Sequence, residues 1–212
     1  LLVKTEHGVE ICMRFGGESV FFDPTNPAAR RYVWDKCRQN YYDKGIRVFW
    51  LDEAEPEVHP QQYSNLKFYA GNGAQSAMLY PYYYSKMFYE GLKSEGETDI
   101  ILLTRAAYPG TQKFGSLVWN GDIMSTFEAL RMSVKTGLSM AMSGIPWWNS
   151  DIGGFLMGDI ESDYFKELVV RWAQFGVFSP VMRLHGSRLR TKNQKDRHPG
   201  VKERSGGDNE IW

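Results

Sequence analysis

The sequence predicts an α/β fold, a (β/α) barrel rather than an open sheet, and three observations carry that expectation. Short apolar runs rich in β-favouring residues alternate with helix-length amphipathic segments along most of the 212 residues. Five such runs each end on a polar or charged residue, as barrel strands do where they open onto a shared face. A doubly wound open sheet would place a phosphate-binding glycine turn after an early strand. Neither G-x-G-x-x-G nor G-x-x-x-x-G-K-[ST] occurs, and the pair Gly153-Gly154 is too little to replace them.

The elements follow in order. Residues 1–25 read as a segment leading into the barrel. Asn26 can cap free backbone donors and Pro27 needs no intrahelical N–H, so a helix opens there, and Gly45 ends it. Residues 45–52 read as a strand covered on both faces and closing on the carboxylate of Asp52. A second helix is expected over 81–94, with Gly96 helping to close it before residues 99–105 form another buried strand that ends on Arg105. A brief strand around Leu117 and Val118 leads into Trp119-Asn120-Gly121-Asp122, and a helix follows over 125–142, in which the methionines from Met124 to Met142 read as packing residues. Gly144-Ile145-Pro146-Trp147-Trp148 runs on to Asp151, and a last amphipathic helix over 164–175 precedes Val181-Met182-Arg183-Leu184-His185. Residues 26–185 are thus expected to form the barrel portion. Residues 186–212 read as a polar loop, and the basic run within it lacks the interleaved aromatics of a nucleic-acid surface.

Composition narrows the function classes. With 42% hydrophobic and 15% aromatic residues there is ample material for a core, as one substantial domain or two small ones. The 25 Lys and Arg balance the 25 Asp and Glu, so overall charge gives no reason to expect nucleic acid or an anionic membrane as partner, and a neutral ligand fits. Cys12 and Cys37 form no C-x-x-C pair, so they read as two free buried thiols rather than a disulfide scaffold or zinc site. No long charge-free apolar span is present, so no membrane span is expected, and the compartment, cytoplasmic or exported, stays open. The start at Leu1 without an initiator Met and the ending Asn209-Glu210-Ile211-Trp212 predict a piece of a longer protein.

Carboxylates carry the candidate chemistry. The run Trp50-Leu51-Asp52-Glu53-Ala54-Glu55-Pro56-Glu57 puts four acidic residues within six positions at the end of an apolar strand. Their mutual repulsion costs stability unless a polyhydroxyl ligand, a cation or partners such as Arg105 and Arg183 offset it. A solvated acidic loop and a hard-cation site are the other readings, although the order departs from an EF-hand and no H-E-x-x-H occurs. Asp122 follows Trp119 and Gly121, where partial burial and nearby carboxylates would raise its pKa and let it hold a proton; it equally suits a helix cap. Asp151 suits bidentate bonding to sugar hydroxyls, and the surrounding tryptophans offer flat faces to a pyranose ring or fill the core. His185 is a further hydroxyl ligand or a packed residue.

Four blocks, in matching order and separation, resemble one family: residues 49–57 around Asp52, Leu103-Thr104-Arg105 through Gly110-Thr111-Gln112, Trp119-Asn120-Gly121-Asp122, and residues 144–155 through Asp151-Ile152-Gly153-Gly154-Phe155. Arg183-Leu184-His185-Gly186 agrees as a fifth. They resemble glycoside hydrolase family 31, the group containing α-glucosidases and α-xylosidases, from about residue 20 to the end. The resemblance implies a partial (β/α)8 TIM barrel holding the fourth to eighth strands, with residues 209–212 beginning the family's next helix. It implies Asp52 as nucleophile and Asp122 as general acid and then base, with net retention of the α configuration. That mechanism sets the two carboxyls about 5–5.5 Å apart. By the same resemblance Glu55 is a supporting carboxylate, Arg105, Asp151 and His185 bind hydroxyls of the terminal sugar, Trp119 lines that subsite, and no metal or organic cofactor is called for. The first three barrel strands and the flanking β-rich domains of such proteins are expected as missing partners, so this chain alone is expected to be poorly stable. The form of the acidic run is closer to the family's α-xylosidases, which makes the expected activity exo-hydrolysis of α-linked xylose or glucose. An α-glucosyltransferase of the same family, or a silent carbohydrate-binding or subunit-stabilising protein, is the alternative.

Overall fold

The structure, a computed structural model, describes residues 1–14, 18–56 and 63–187. The chain divides into two compact units, Leu1–Leu117 and the residues from Val118 onward.

The first unit begins with short antiparallel pieces that periodicity cannot reveal. β1 (Lys4–Thr5) is followed by β2 (Cys12–Arg14) and β3 (Glu18–Val20), which pair with each other, Cys12 opposite Val20. Helix α1 (Pro27–Asn40) starts as expected, the Asn26 side chain accepting a hydrogen bond from the N–H of Ala28 at 2.9 Å. It stops five residues before Gly45. The intervening turn, residues 42–44, is a tighter 3₁₀ turn, and Gly45 ends it in the left-handed region at φ 100°. β4 (Phe49–Leu51) comes next, then β5 (Leu66–Phe68) and β6 (Gly71–Asn72), helix α2 (Gly73–Ser76) and helix α3 (Tyr80–Ser94).

β5 pairs antiparallel with both β1 and β6, so part of the predicted lead-in segment belongs to a small sheet of its own. Val3, Phe21, Leu66, Phe68, Ala77 and Tyr80 form its core. Asp23, buried, fastens it: one carboxylate oxygen accepts from the Thr25 N–H (2.9 Å) and hydroxyl (2.6 Å), the other from the Tyr69 N–H (2.6 Å). Burial, reinforced by Tyr84 and the carboxylates of Asp23 and Glu55, pushes the Tyr80 phenol well above its usual 10.0. Above that ordinary value an unfolded chain releases a proton that folded Tyr80 keeps, so stability falls as pH rises. The slope from this residue is up to about 1.4 kcal/mol per pH unit. Denaturant titrations of the full-length gene product between about pH 9 and 12 should show the Tyr80→Phe variant losing less stability than wild type. Equal alkaline slopes would refute the assignment.

β4 pairs in parallel with β7 (Leu102–Thr104), Leu51 opposite Thr104. Below them lies a second cluster, Trp34, Tyr42, Phe49, Leu51, Met87, Phe88, Leu92 and Leu102. The Phe49 ring meets Phe88 at 5.0 Å and Trp34 at 6.3 Å between centroids. Helix α1 approaches α3 closely because position 91 has no side chain: a Cβ on Gly91 would stand 2.2 Å from the Trp34 indole. The expectation that residues 45–52 are covered on both faces is corrected here. Phe49 and Leu51 are buried but Trp50 is 45% exposed, because α1 and α3 bring their apolar residues to the same face of the strand.

β8 (Ser116–Trp119) carries the chain into the second unit, where Val118 and Trp119 pair in parallel with β9 (Trp148–Asn149). Helix α4 (Phe127–Met142) lies between them in sequence, and helix α5 (Asp163–Gly176) follows, capped by the Ser162 hydroxyl. Ile152, Phe165, Leu168, Val169 and Trp172 make the core of this unit. The methionines from Met124 to Met142 do not all pack as expected. Met124, Met132 and Met142 are exposed, and the buried residue of α4 is Ser133, whose hydroxyl donates to the Ala129 carbonyl (2.8 Å) and accepts from Asn120 (3.0 Å). The fifth strand-like run, 181–185, is reduced to one parallel bridge between Asp151 and Arg183.

The outcome is an α/β chain with parallel strand pairs and a fragment of a barrel; no closed barrel is present among the described residues. Cys12 and Cys37 are free thiols, Cys12 exposed rather than buried, and burial pushes the Cys37 thiol up. Among the described residues no helix is long and apolar enough to cross a membrane. The predicted polar loop and helix start over 188–212 lie outside the described residues.

Candidate active site

In the first unit the strand register builds the site. With Leu51 opposite Thr104, the next residue on each strand, Asp52 and Arg105, emerges at the carboxyl end of a parallel pair, and the Arg105 N–H donates to the Leu51 carbonyl at 3.2 Å. The chain then turns sharply. The Asp52 carboxylate accepts from the Glu53 N–H at 3.0 Å, and Glu53 adopts the left-handed region at φ 53°, a conformation that costs a non-glycine residue about 1–2 kcal/mol.

That turn gathers three carboxylates on one guanidinium. Arg105 reaches Glu55 through Nε at 2.8 Å and both Asp52 and Glu53 through Nη1 at 3.4 Å. The Arg105 side chain is 13% exposed, against 41% for Asp52, 17% for Glu53 and 32% for Glu55. Asp52 is therefore the carboxylate most open to a ligand. Glu55 takes the shortest contact to the arginine, and Arg105 offsets the repulsion that the acidic run would otherwise carry.

In the second unit Trp119 ends β8 opposite Asn149 of β9 and is buried. Gly121, at φ 75°, turns the chain so that Asp122 is exposed, which corrects the expected partial burial. Asp122 is not the helix cap either: Thr126 caps α4, its hydroxyl accepting from the Ala129 N–H at 3.1 Å. Asp151 is fully buried and forms an ion pair with Arg183, whose Nη2 donates to Asp151 Oδ1. Arg183 Nε also donates to Asn149 Oδ1 at 3.3 Å, and its guanidinium lies 5.4 Å from the Trp119 ring centroid.

The segment around Asp151 is held from several sides. Ser150 accepts from the Trp172 indole N–H at 2.8 Å, Ile152 N–H donates to the Arg183 carbonyl at 3.2 Å, and Gly154 N–H donates to the Asp151 carbonyl at 2.9 Å. Gly154 sits at φ +78°, and a Cβ there would lie 2.6 Å from the Met124 carbonyl oxygen, so only glycine fits. His185, two residues beyond Arg183, packs its ring against Phe155 at 5.1 Å. Trp148 belongs to the buried interior, whereas Trp147 is half exposed.

The structure thus brings Asp52, Glu55 and Arg105 together in one unit, and joins Trp119 to Asp151 through Arg183 in the other. Arg105 holds carboxylates of the acidic run, as the sequence leads one to expect, and Arg183 holds the carboxylate of Asp151. Glu53, Asn149 and Ser150 had no assigned role in the sequence; the acidic run was the signal for Glu53, and nothing local marks the other two. Among the described residues no group of three or more His, Cys, Asp or Glu side chains is arranged to hold a metal ion.

The profile of the glycosyl hydrolases family 31 TIM-barrel domain matches residues 1–203. An uncharacterized family 31 glucosidase, ORF2 of Pseudescherichia vulneris, is 45% identical over 187 residues, covering 88% of this chain and 35% of its own length. Alpha-xylosidase A of Aspergillus niger is 35% identical over 79% of this chain and 27% of its own length. Among solved structures, the GH31 alpha-xylosidase from a soil metagenome complexed with xylose aligns with a TM-score of 0.90 at 47% identity, covering 100% of this chain and 32% of that one. The chain spans about a third of the length of these relatives. On the family profile and these likenesses, it belongs to glycoside hydrolase family 31.

Proposed function

We propose that this chain carries the catalytic carboxylates of a retaining, exo-acting α-glycoside hydrolase that removes terminal α-linked xylose or glucose. The observation that carries the reading is Asp52, the open member of a carboxylate cluster at the carboxyl end of a parallel strand, steadied by Arg105. In this mechanism an Asp52 oxygen attacks the anomeric carbon while Asp122 gives its proton to the departing glycosidic oxygen. A covalent glycosyl ester forms and the aglycone leaves as an alcohol. Asp122, now ionised, takes a proton from water, the water oxygen displaces Asp52, and the sugar leaves with its original α configuration.

The other residues divide the remaining work. Glu55 holds Arg105, and Arg105 keeps the Asp52 oxygen pointed and contacts a hydroxyl of the terminal sugar. Asp151 and His185 bind hydroxyls of the terminal sugar, and the Trp119 ring forms a wall of its subsite. Two named relatives, one from Aspergillus niger and one from Saccharolobus solfataricus, are α-xylosidases, at 35% and 33% identity, which favours xylose.

The test is hydrolysis of 4-nitrophenyl α-xyloside and α-glucoside by the full-length gene product, with the configuration of the first-formed sugar read by NMR. The expected result is release of α-sugar, faster from the xyloside. Release of β-sugar would overturn the double displacement, and turnover of neither glycoside by a folded protein would overturn the substrate assignment.

A further inference from the structure

Arg183 has a richer set of contacts than charge neutralisation requires. Its Nη2 pairs with the fully buried Asp151, its Nε holds the carbonyl oxygen of the equally buried Asn149, and its flat face lies 5.4 Å from the Trp119 ring centroid. Each contact uses a different feature of the guanidinium, and a lysine would reproduce only the charge. The Asn149 amide depends on this arrangement: its Nδ2 is buried with no hydrogen-bond partner among the described residues, so Arg183 is what fixes which way the amide faces. Backbone geometry locks the origin of the side chain as well, since Arg183 bridges in parallel to Asp151 and its carbonyl accepts from Ile152.

We infer that Arg183 is a positioning residue, which sets the Asp151 carboxylate, the Asn149 amide and the Trp119 indole as one rigid assembly and thereby fixes the subsite that grips the terminal sugar. The inference rests on the reading of Asp151 and Trp119 as sugar contacts. Arg183 acts through those two side chains, and its effect on catalysis is transmitted by their orientation.

The experiment uses the full-length gene product and the variants Arg183→Lys, Asp151→Asn and the double replacement. Arg183→Lys keeps the positive charge, and its melting temperature should stay near that of wild type. The expected result is a loss of about 10–100-fold in kcat/KM on 4-nitrophenyl α-xyloside, the range typical of residues that orient ligand groups. In the Asp151→Asn background that loss should shrink to under about threefold, because the same carboxylate is no longer there to be aligned. A loss of equal size in both backgrounds, or no loss at all, overturns the proposal.

A spectral arm separates this from failure of the proposed activity. Arg183→Lys should change the near-ultraviolet circular dichroism of the folded protein, and the change should vanish when Trp119→Phe is introduced. If wild type hydrolyses neither glycoside yet the Trp119-dependent change is present, the substrate reading fails and the positioning of the indole stands. If the spectrum is unmoved, the positioning claim fails whatever the activity.

Discussion

Replacing Asp52 with alanine is expected to lower α-glycoside hydrolysis by roughly 10⁴-fold or more, the scale on which removal of a covalent nucleophile registers. The loss belongs almost wholly to the chemical step. Asp52 is the most open carboxylate of its cluster, and Arg105 keeps Glu53 and Glu55 as partners when it is gone, so the melting temperature should change little. Added azide gives the decisive readout. The anion can occupy the space left by the carboxylate and attack the anomeric carbon from the same side, with one inversion, so turnover should return and yield a β-glycosyl azide. Asp122→Ala should behave differently, losing far less on a 4-nitrophenyl glycoside, whose leaving group departs without a proton, than on a natural sugar aglycone. Persistent activity in a verified Asp52→Ala protein would end the nucleophile assignment.

Arg105→Met should produce the largest loss of stability. It removes the guanidinium that three carboxylates share on a single turn, one of whose residues is already in the left-handed region. Removing one partner of a fully buried ion pair costs about 3–5 kcal/mol; because Asp52 and Glu55 are partly open to water, about 3 kcal/mol is the expected destabilisation by denaturant titration of the full-length gene product. Activity should fall with it, since Asp52 loses the group that points it. Arg105→Lys should fall between the two, keeping charge but not the fork that reaches Glu55 and Asp52 together. Pairing Arg105→Met with Glu55→Gln should recover part of the stability by removing the carboxylate with the shortest contact. An Arg105→Met protein as stable as wild type would mean that the acidic turn is relieved from elsewhere.

What the sequence made legible follows from the length over which each signal extends. Asn26-Pro27 announces α1 because capping is a matter of neighbouring residues, and the helix appears there. The acidic run after Leu51 declares itself because like charges at successive positions demand a partner, and Arg105 is that partner. The two- and three-residue strands near the start could not be read, since they set Thr5 opposite Leu66 and Cys12 opposite Val20, pairings that no local period encodes. The exposed side of Trp50 was equally hidden, because an apolar run looks the same whether helices cover one face or two. Capping by Asp122 was one of two readings its chemistry allowed, and Thr126 has the spacing that caps α4. Arg183 was legible as a holder of carboxylates. Its grip on Asn149 and Trp119 was not, because side-chain stacking leaves no pattern in one dimension.

The pairing of Leu51 with Thr104 bears on how such a chain tolerates changes in length over evolutionary time. In a strand, one residue gained or lost sends every following side chain to the opposite face of the sheet. A single deletion within residues 102–104 would therefore turn Arg105 away from Glu55 even though no functional residue had been altered. The same deletion in the connection over 95–101 can be taken up by slack between helix and strand. Descendants of this sequence should accordingly show ragged lengths in that connection and an unvarying count from Leu102 to Arg105, a form of inheritance in which spacing is guarded as strictly as chemistry.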